Sequence, residues 1–336
     1  MTVGLSAFEK RLCNILQEGL PITRRPFARI AAKLGCNEQT ILKCTQGLVS
    51  RGFIRRIRAV INWRATGQAG TLVTAHIEQN DLHKVVDEVN RLKGVTHNYL
   101  REHHYNLWFT LRAESPKQVA ATLQKFSKQF KTGFHGLPVK KVFKLDVRFD
   151  ALSNGRSLLH QKKTRIKNRT VNLESVDERL LSKLNEGLKV AAQPYDFLCP
   201  VLPALECRNR GSEVEGNDKL SIDEVLSRIK KMIVQDVIHR LGAVVNHHKL
   251  GFVANAMFVC KANENKIVKI GKNLARLNIV SHCYQRKPFK GWPYNLFAMM
   301  HGRTIAQIHN EINKFVKSQK IPAWDVLPTL KVLKKK

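Results

Sequence analysis

The sequence predicts an α+β chain made by tandem duplication: a winged helix-turn-helix and a ferredoxin-like βαββαβ domain, then the same pair again, folded as an intramolecular pseudo-dimer. Three observations predict it. GVTHNYLREHHYNLWFTL (residues 94–111) returns, altered, as IVSHCYQRKPFKGWPYNLFAMMHG (residues 279–302). FIRRIRAVIN (53–62) returns as VIHRLGAVVN (237–246), and the opening LSAFEKRLCNILQEGL as VDERLLSKLNEGL from Val176. The order of helical and alternating periodicities is also the same in both copies. Repeats of domain length imply an internal pair rather than one large core.

The elements follow from local signals. Phe8, Leu12, Ile15 and Leu16 have helical spacing, and Gly19 ends that helix. RPFARIAAKLG supplies a second helix, with Pro26 in its first turn and Gly35 closing it. A third begins after Asn37, placed as N-cap, and FIRRIRAV follows as the wing. Residues 69–77 alternate like a strand and 81–92 have helical period; strands at 95–101 and 105–112, a helix at 116–130 and a strand at 139–149 complete βαββαβ. In the second copy CPVLPALECRNRGSEVEGND (199–218) reads as a surface insertion. The third helix resumes at LSIDEVLSRIKKM, where Ser221 and Glu224 spell a capping box. The boundaries are therefore 1–62 and 63–150 for the first pair, 151–172 for a basic linker, and 173–248 and 249–333 for the second pair.

The 336 residues hold 58 Lys and Arg against 26 acids, a net charge of +32. Such a field attracts nucleic acid, acidic lipid or a polyanionic small molecule without choosing among them. Part of the excess lies in the acid-free stretch RSLLHQKKTRIKNR and in the final three lysines, where like charges are ordinarily solvated. No apolar run reaches the ~18 residues of a membrane span. The opening MTVGLSAFEK lacks the apolar stretch of a signal peptide, so a cytoplasmic location is expected. Seven cysteines without a C-x-x-C pair indicate neither a zinc site nor a disulfide framework. No P-loop, G-x-G-x-x-G, G-x-S-x-G or H-E-x-x-H is present, and no glycosidase-like carboxylate pair can be nominated.

Two kinds of function remain. A helix-turn-helix suggests DNA, but Gln39, Thr40 and Lys43 are a thin base-reading set, and the matching second helix opens with acidic Asp223 and Glu224. The duplicated motif suggests a ligand. A lone strand histidine is ordinarily structural. Here His97, His103 and His104 cluster in the first motif, His282 and His301 bracket the second, and His247 and His248 follow AVVN. If the strand runs unbroken, His97, Tyr99, Arg101 and His103 share a face, which is poor core material.

HNYLREHHYNLWFTL, and still more SHCY followed by WPYNLFAMMHGR, resemble the signature strands of the siroheme decarboxylase family. The resemblance spans about residues 5–150 and 176–330 and implies that both subunit types are fused in one chain. It also implies the Lrp/AsnC architecture and a carboxy-lyase that takes carboxyl groups from two acetate side chains of siroheme. The product would be 12,18-didecarboxysiroheme for haem or d-type haem synthesis. The alternative is an Lrp/AsnC-type transcription regulator, responsive to haem, with DNA as partner. The insertion, Arg58 opposite small Gly242 in the alignment, the extra His104 and Asn246 at a commonly basic position depart from the family pattern.

On that resemblance, Arg55, Arg56, Arg101, Arg240 and Arg286 are candidates to clamp the carboxylates that stay, since guanidinium binds carboxylate through paired, charge-assisted hydrogen bonds. Trp108, Phe109, Trp292 and Phe297 would line and desolvate the carboxylate that leaves. Loss of CO₂ calls for a returned proton, and histidine titrates near neutral pH. His103 and His282 are the leading donors, with Tyr105 and Tyr294 orienting or secondary. His97 and His247 could bind the siroheme iron, and the sequence leaves acid and ligand roles open. No cofactor is expected beyond iron carried by the substrate, no membrane, and either a monomeric pseudo-dimer or a higher homo-oligomer. The second motif has four more residues between its Arg and its Tyr-Asn pair, so one productive pocket is expected. That pocket would draw on His97, Arg101 and His103, with His247 and Arg286 from the second half; the alternative is two independent pockets.

Overall fold

Ser6, Pro26 and Asn37 fix where the first three helices begin. Ser6 Oγ accepts from Glu9 N at 3.2 Å and Ser6 N donates to the Glu9 carboxylate at 2.8 Å, closing a capping box on α1 (Ala7–Glu18). Pro26 opens α2 (Pro26–Leu34), and Gly35, at φ 68°, ends it in the left-handed region that favours glycine. Asn37 Oδ1 accepts from Thr40 N at 2.8 Å to start α3 (Glu38–Ser50), and β1 (Ile54–Ile61) is the wing. The computed structural model describes residues 4–145, 147–153, 155, 170–200 and 220–335. Most of the basic linker, residues 201–218 of the insertion and Lys336 lie outside the described residues.

These residues form two compact units, and the duplication is sorted by domain type rather than by copy. The first unit comprises the described residues within Met1–Thr66, Arg148–Leu152 and Gln161–Leu250. It joins α1–α3 and β1 to their second-copy counterparts, α6 (Ser175–Glu186), α7 (Ile222–Val234) and β6 (Ile238–Val245). The wings β1 and β6 pair antiparallel, with Arg58 directly opposite Gly242. Ser221 Oγ accepts from Glu224 N at 3.2 Å, but the anticipated capping box is only half made. The Glu224 carboxylate instead takes Arg228 Nε at 3.1 Å, and the same guanidinium reaches Glu174 and Asp177 at 2.9 and 3.1 Å, tying α6 to α7.

The second unit comprises the described residues within Gly67–Val147, Ser153–His160 and Gly251–Lys336. Its first half runs β2 (Ala69–Ala75), α4 (Leu82–Arg91), β3 (Val95–Arg101), β4 (Leu107–Ala113), α5 (Pro116–Gln129) and β5 (His135–Lys144). Its second half repeats this as β7 (Ala254–Cys260), α8 (Ile267–Arg276), β8 (Val280–Arg286), β9 (Leu296–Gly302), α9 (Ile305–Gln319) and β10 (Trp324–Lys335). The eight strands close into one barrel in the order β10-β3-β4-β2-β5-β8-β9-β7. Each half lends its last strand to the other, β5 to β8 and β10 to β3. Closure removes every open sheet edge, which is the physical form of the anticipated pseudo-dimer. β5 starts four residues before the anticipated position, because Gly133 and Gly136 mask its alternation, yet His135 already pairs with Thr74.

Helices cover the outer face, with Val85, Val89, Val119 and Phe126 packed on Val73 and Phe109, and Ile270, Leu274, Ile308 and Ile312 on Phe258 and Met300. The interior holds Trp108, Leu137, Met257, Val259, Trp292, Phe297 and Leu327. Among the described residues no helix is long and apolar enough to cross a membrane.

Candidate active site

Each duplicated motif builds a ladder on the strand carrying Tyr99 or Tyr284. Tyr99 is directly opposite Trp108, and Tyr284 opposite Phe297, so both ladders share the barrel's interior side. His97 stacks on Tyr99 at 6.2 Å and 22°, and His282 on Tyr284 at 6.0 Å and 20°. The Arg101 guanidinium lies 5.2 Å from the Tyr99 centroid, and Arg286 lies 4.8 Å from Tyr284. Each imidazole Nδ1 meets the hydroxyl of the preceding residue, Thr96 at 3.0 Å and Ser281 at 3.1 Å. His282 is thus the geometric twin of His97, not of His103.

The arginines of the ladders are deeply buried. Arg101 donates to Leu327 O at 2.8 Å and Thr329 Oγ1 at 3.0 Å, and Arg286 to Leu137 O at 2.7 Å. Burial pushes Arg101 down to about 10, with Tyr99 acting the other way. In this arrangement both guanidiniums brace the swapped strands β10 and β5. The Tyr-Asn-Leu triplets have a structural component too. Asn106 brackets Ile77, accepting from its N at 2.9 Å and donating to its O at 2.8 Å. Asn295 does the same to Ala262, at 2.8 Å both ways. The side-chain amides extend each strand ladder by one rung.

Beyond β3 the copies diverge. The strand ends at Arg101, so His103 stands in the turn rather than in line with the ladder. Tyr105 N donates to His103 Nδ1 at 2.9 Å, which places the proton of the neutral ring on Nε2, 3.7 Å from Asp325 Oδ2. Burial lowers the His103 pKa, and Asp325 works against it. The longer second turn inserts Trp292 beside this group. Its ring lies 5.5 Å from His103, 5.7 Å from Tyr105, 5.5 Å from Trp108 and 5.1 Å from Tyr294. Trp292 is 4% exposed and its indole N–H has no acceptor among the described residues, whereas Trp108 donates to Tyr105 O at 2.6 Å. Burial raises the Tyr294 pKa, helped by Asp325. His103, Tyr105, Trp108, Trp292 and Tyr294 therefore converge, with Asp325 as their carboxylate. That is chemistry for holding a flat aromatic ligand and moving a proton.

Three members of this cluster carry no sequence signal of their own: Asp325, Phe289 and His135. His135 lies on Phe289 at 4.1 Å and 4°, with Tyr105 edge-on to both at 5.8 and 5.4 Å. Burial lowers its pKa. Only the glycine at 133 permits this placement, since a Cβ there would meet His135 Nε2 at 2.5 Å. Gly133→Ala should dislodge the imidazole, and NMR should show its ring protons losing the upfield shift that a stacked phenyl imposes; an unchanged shift would show that the ring adapts in place. His104 turns away to stack on His76 at 4.3 Å and 10°, and His76 bonds Glu78 at 3.0 Å.

The remaining predicted residues belong to the first unit. Arg55 and Arg56 are exposed on β1, and Arg240 is half-buried on β6. His247 is buried, its ring stacked on Phe149 at 5.1 Å and 16°. No group of three or more His, Cys, Asp or Glu among the described residues is arranged to hold a metal ion.

Known proteins resemble this chain along most of its length. Residues 65–144 and 249–334 match the AsnC-like ligand binding domain, and residues 9–55 match the siroheme decarboxylase NirDL-like HTH domain. A siroheme decarboxylase of Hydrogenobacter thermophilus is 31% identical over 305 residues, covering 89% of this chain and 84% of the relative. A siroheme decarboxylase alpha subunit of Desulfovibrio desulfuricans is 38% identical over 145 residues, 43% of this chain and 84% of that subunit. The crystal structure of the siroheme decarboxylase NirDL in co-complex with an iron-uroporphyrin III analogue superposes with a TM-score of 0.70 at 26% identity, covering 98% of this chain and 93% of that one.

Proposed function

This chain belongs to the siroheme decarboxylase family, and we propose that it removes carboxyl groups from two acetate side chains of siroheme, yielding 12,18-didecarboxysiroheme for haem or d-type haem synthesis. The observation that carries the reading is the convergence of His103, Tyr105 and Tyr294 on Trp292, in a chain related to siroheme decarboxylases along most of its length. Aromatic walls suit the macrocycle and favour a poorly solvated carboxylate. As the bond from the methylene to the carboxylate breaks, its electron pair is delocalised into the conjugated ring and CO₂ departs. A proton must then reach the methylene.

His103 is the donor best supported. Its Nδ1 is occupied by Tyr105 N, so its proton leaves from Nε2. Tyr105 and Tyr294 orient the substrate beside it. His97 and His282, being twins, share a role as nitrogen donors toward substrate iron or substrate edge. Ser281 Oγ lies 3.1 Å from His282 Nδ1, 2.9 Å from His301 Nε2 and 3.2 Å from Met299 O, and so holds the His282 ring by its Nδ1 edge. Arg55 and Arg56, exposed on β1, suit contact with a carboxylate. Arg101 and Arg286, engaged with carbonyls, position Tyr99 and Tyr284 instead.

Purified protein mixed with siroheme should shift its visible spectrum and release products lighter by one and by two CO₂ in mass spectrometry. Unchanged siroheme, together with sequence-specific retardation of duplex DNA at physiological salt, would replace the enzyme by a regulator.

A further inference from the structure

The duplication sets Trp292 against His103. Each lies two residues before the Tyr of a Tyr-Asn-Leu triplet, His103 in HHYNL and Trp292 in WPYNL, so one position of the repeat is filled in two ways. Barrel closure brings the two together, with their rings edge to face at 5.5 Å and 74°. His103 stacks on Tyr105 at 6.0 Å, and Trp292 lies 5.1 Å from Tyr294 and 5.7 Å from Tyr105. One copy thus supplies a titratable ring and the other a neutral ring that can only donate. In its neutral form the His103 ring also presents an N–H, on Nε2.

The indole N–H is the unfinished part of this pair. Trp292 is 4% exposed, and its Nε1 has no hydrogen-bond partner among the described residues. Phe289, Trp108 and Phe297 pack on the same ring at 6.0, 5.5 and 6.3 Å. In such apolar surroundings an unpaired donor is costly, and one matched by a ligand acceptor is strong. The cluster is open at its rim. The His103 side chain keeps 19% of its exposure and Asp325 41%, and Gly291 and Pro293, on either side of Trp292, are exposed. Gly291 takes φ 88°, and nothing lies within 4 Å of a Cβ placed on it. This connection therefore has room to lift the indole edge to the rim.

We propose that Trp292 is a substrate-binding residue whose indole N–H donates to the carboxylate that departs, placing the attached methylene beside His103. Loss of CO₂ from that group rests on the decarboxylase reading; the pairing of an indole donor with an acetate does not. A neutral donor suits the task. A guanidinium would hold the charged carboxylate most tightly before reaction, and that stabilisation opposes its conversion to CO₂. A single indole bond orients the group with less of it. When the bond from methylene to carboxylate breaks, its electron pair enters the conjugated macrocycle and uncharged CO₂ releases the indole. The proton then reaches the methylene from His103. Since the repeat carries a proton donor at one of its two copies of this position, the pair serves one productive pocket.

The test compares two metal-free probes that require no turnover, uroporphyrin III and coproporphyrin III, the second carrying methyl groups in place of acetates. In fluorescence titrations of the full chain, Trp292→Phe should weaken uroporphyrin binding about tenfold, as loss of a hydrogen bond to a charged group does. Coproporphyrin affinity should stay unchanged. Should the variant fail to fold, nitrogen-15 spectra of the wild-type indole N–H groups decide the matter. One indole resonance should then differ between the uroporphyrin and coproporphyrin complexes, whose macrocycles impose the same ring current. Equal weakening of both porphyrins makes Trp292 a packing residue and overturns the contact. So do unchanged uroporphyrin affinity in the folded variant, indole resonances that do not distinguish the complexes, and a wild type that binds neither porphyrin. If the wild type leaves siroheme intact while uroporphyrin binding still depends on the indole, the decarboxylase reading falls and the carboxylate contact stands.

Discussion

His103→Ala should slow CO₂ loss from siroheme by about 10²–10⁴-fold, the range general acid catalysis ordinarily supplies, while binding changes only a few-fold. His282→Ala should act differently. Its ring is the twin of His97, held by Ser281 and stacked on Tyr284, so its loss should alter the spectrum and affinity of bound siroheme first. A single productive pocket predicts that His103→Ala blocks both decarboxylations. If each variant instead stops at a different mono-decarboxylated isomer with binding retained, two pockets act independently. To deliver a proton as imidazolium, His103 must give up the bond its Nδ1 accepts from Tyr105 N, and activity should then fall as pH rises through the His103 pKa. Burial holds that pKa below the ordinary histidine value and Asp325 opposes the shift, so Asp325→Asn should move the alkaline limb to lower pH. A limb that stays in place would remove His103 as the donor.

The sequence carried much of this arrangement because it is written twice. The order of elements, Asn37 and Ser221 as caps, and the paired His-Tyr-Arg ladders all depend on local spacing. What it could not carry depends on closure. Alternation places His103 in line with His97, Tyr99 and Arg101 only if the strand continues, and it ends at Arg101. Arg101 and Arg286 look like free clamps until β10 and β5 are swapped across the barrel to present Leu327 O and Leu137 O. Asp325 lies 222 residues from His103 in number, and neither flanks a motif that names the other; β10, paired with β7 at Asp325 and with β3 from Thr329 onward, brings them near.

Trp108→Ala should cost about 3–5 kcal/mol of stability, the usual price of emptying a large aromatic site in a packed core. The residue is 1% exposed. It faces Tyr99 across the β3–β4 pair, meets Trp292 at 5.5 Å, and donates its indole N–H to Tyr105 O at 2.6 Å. Deleting it opens the barrel interior where both halves contribute, Trp292 and Phe297 from one, Leu137 from the other. It also frees the carbonyl that anchors the His103 turn. Trp108→Phe retains most of the apolar volume but not the donor, so it should lose less stability while still loosening Tyr105. Denaturant unfolding measures the first effect, and amide exchange at Tyr105 and Asn106 measures the second. If alanine costs less than about 1 kcal/mol, the interior has collapsed around the gap, and the barrel cannot be the rigid frame that holds His103, Tyr105 and Trp292 in register.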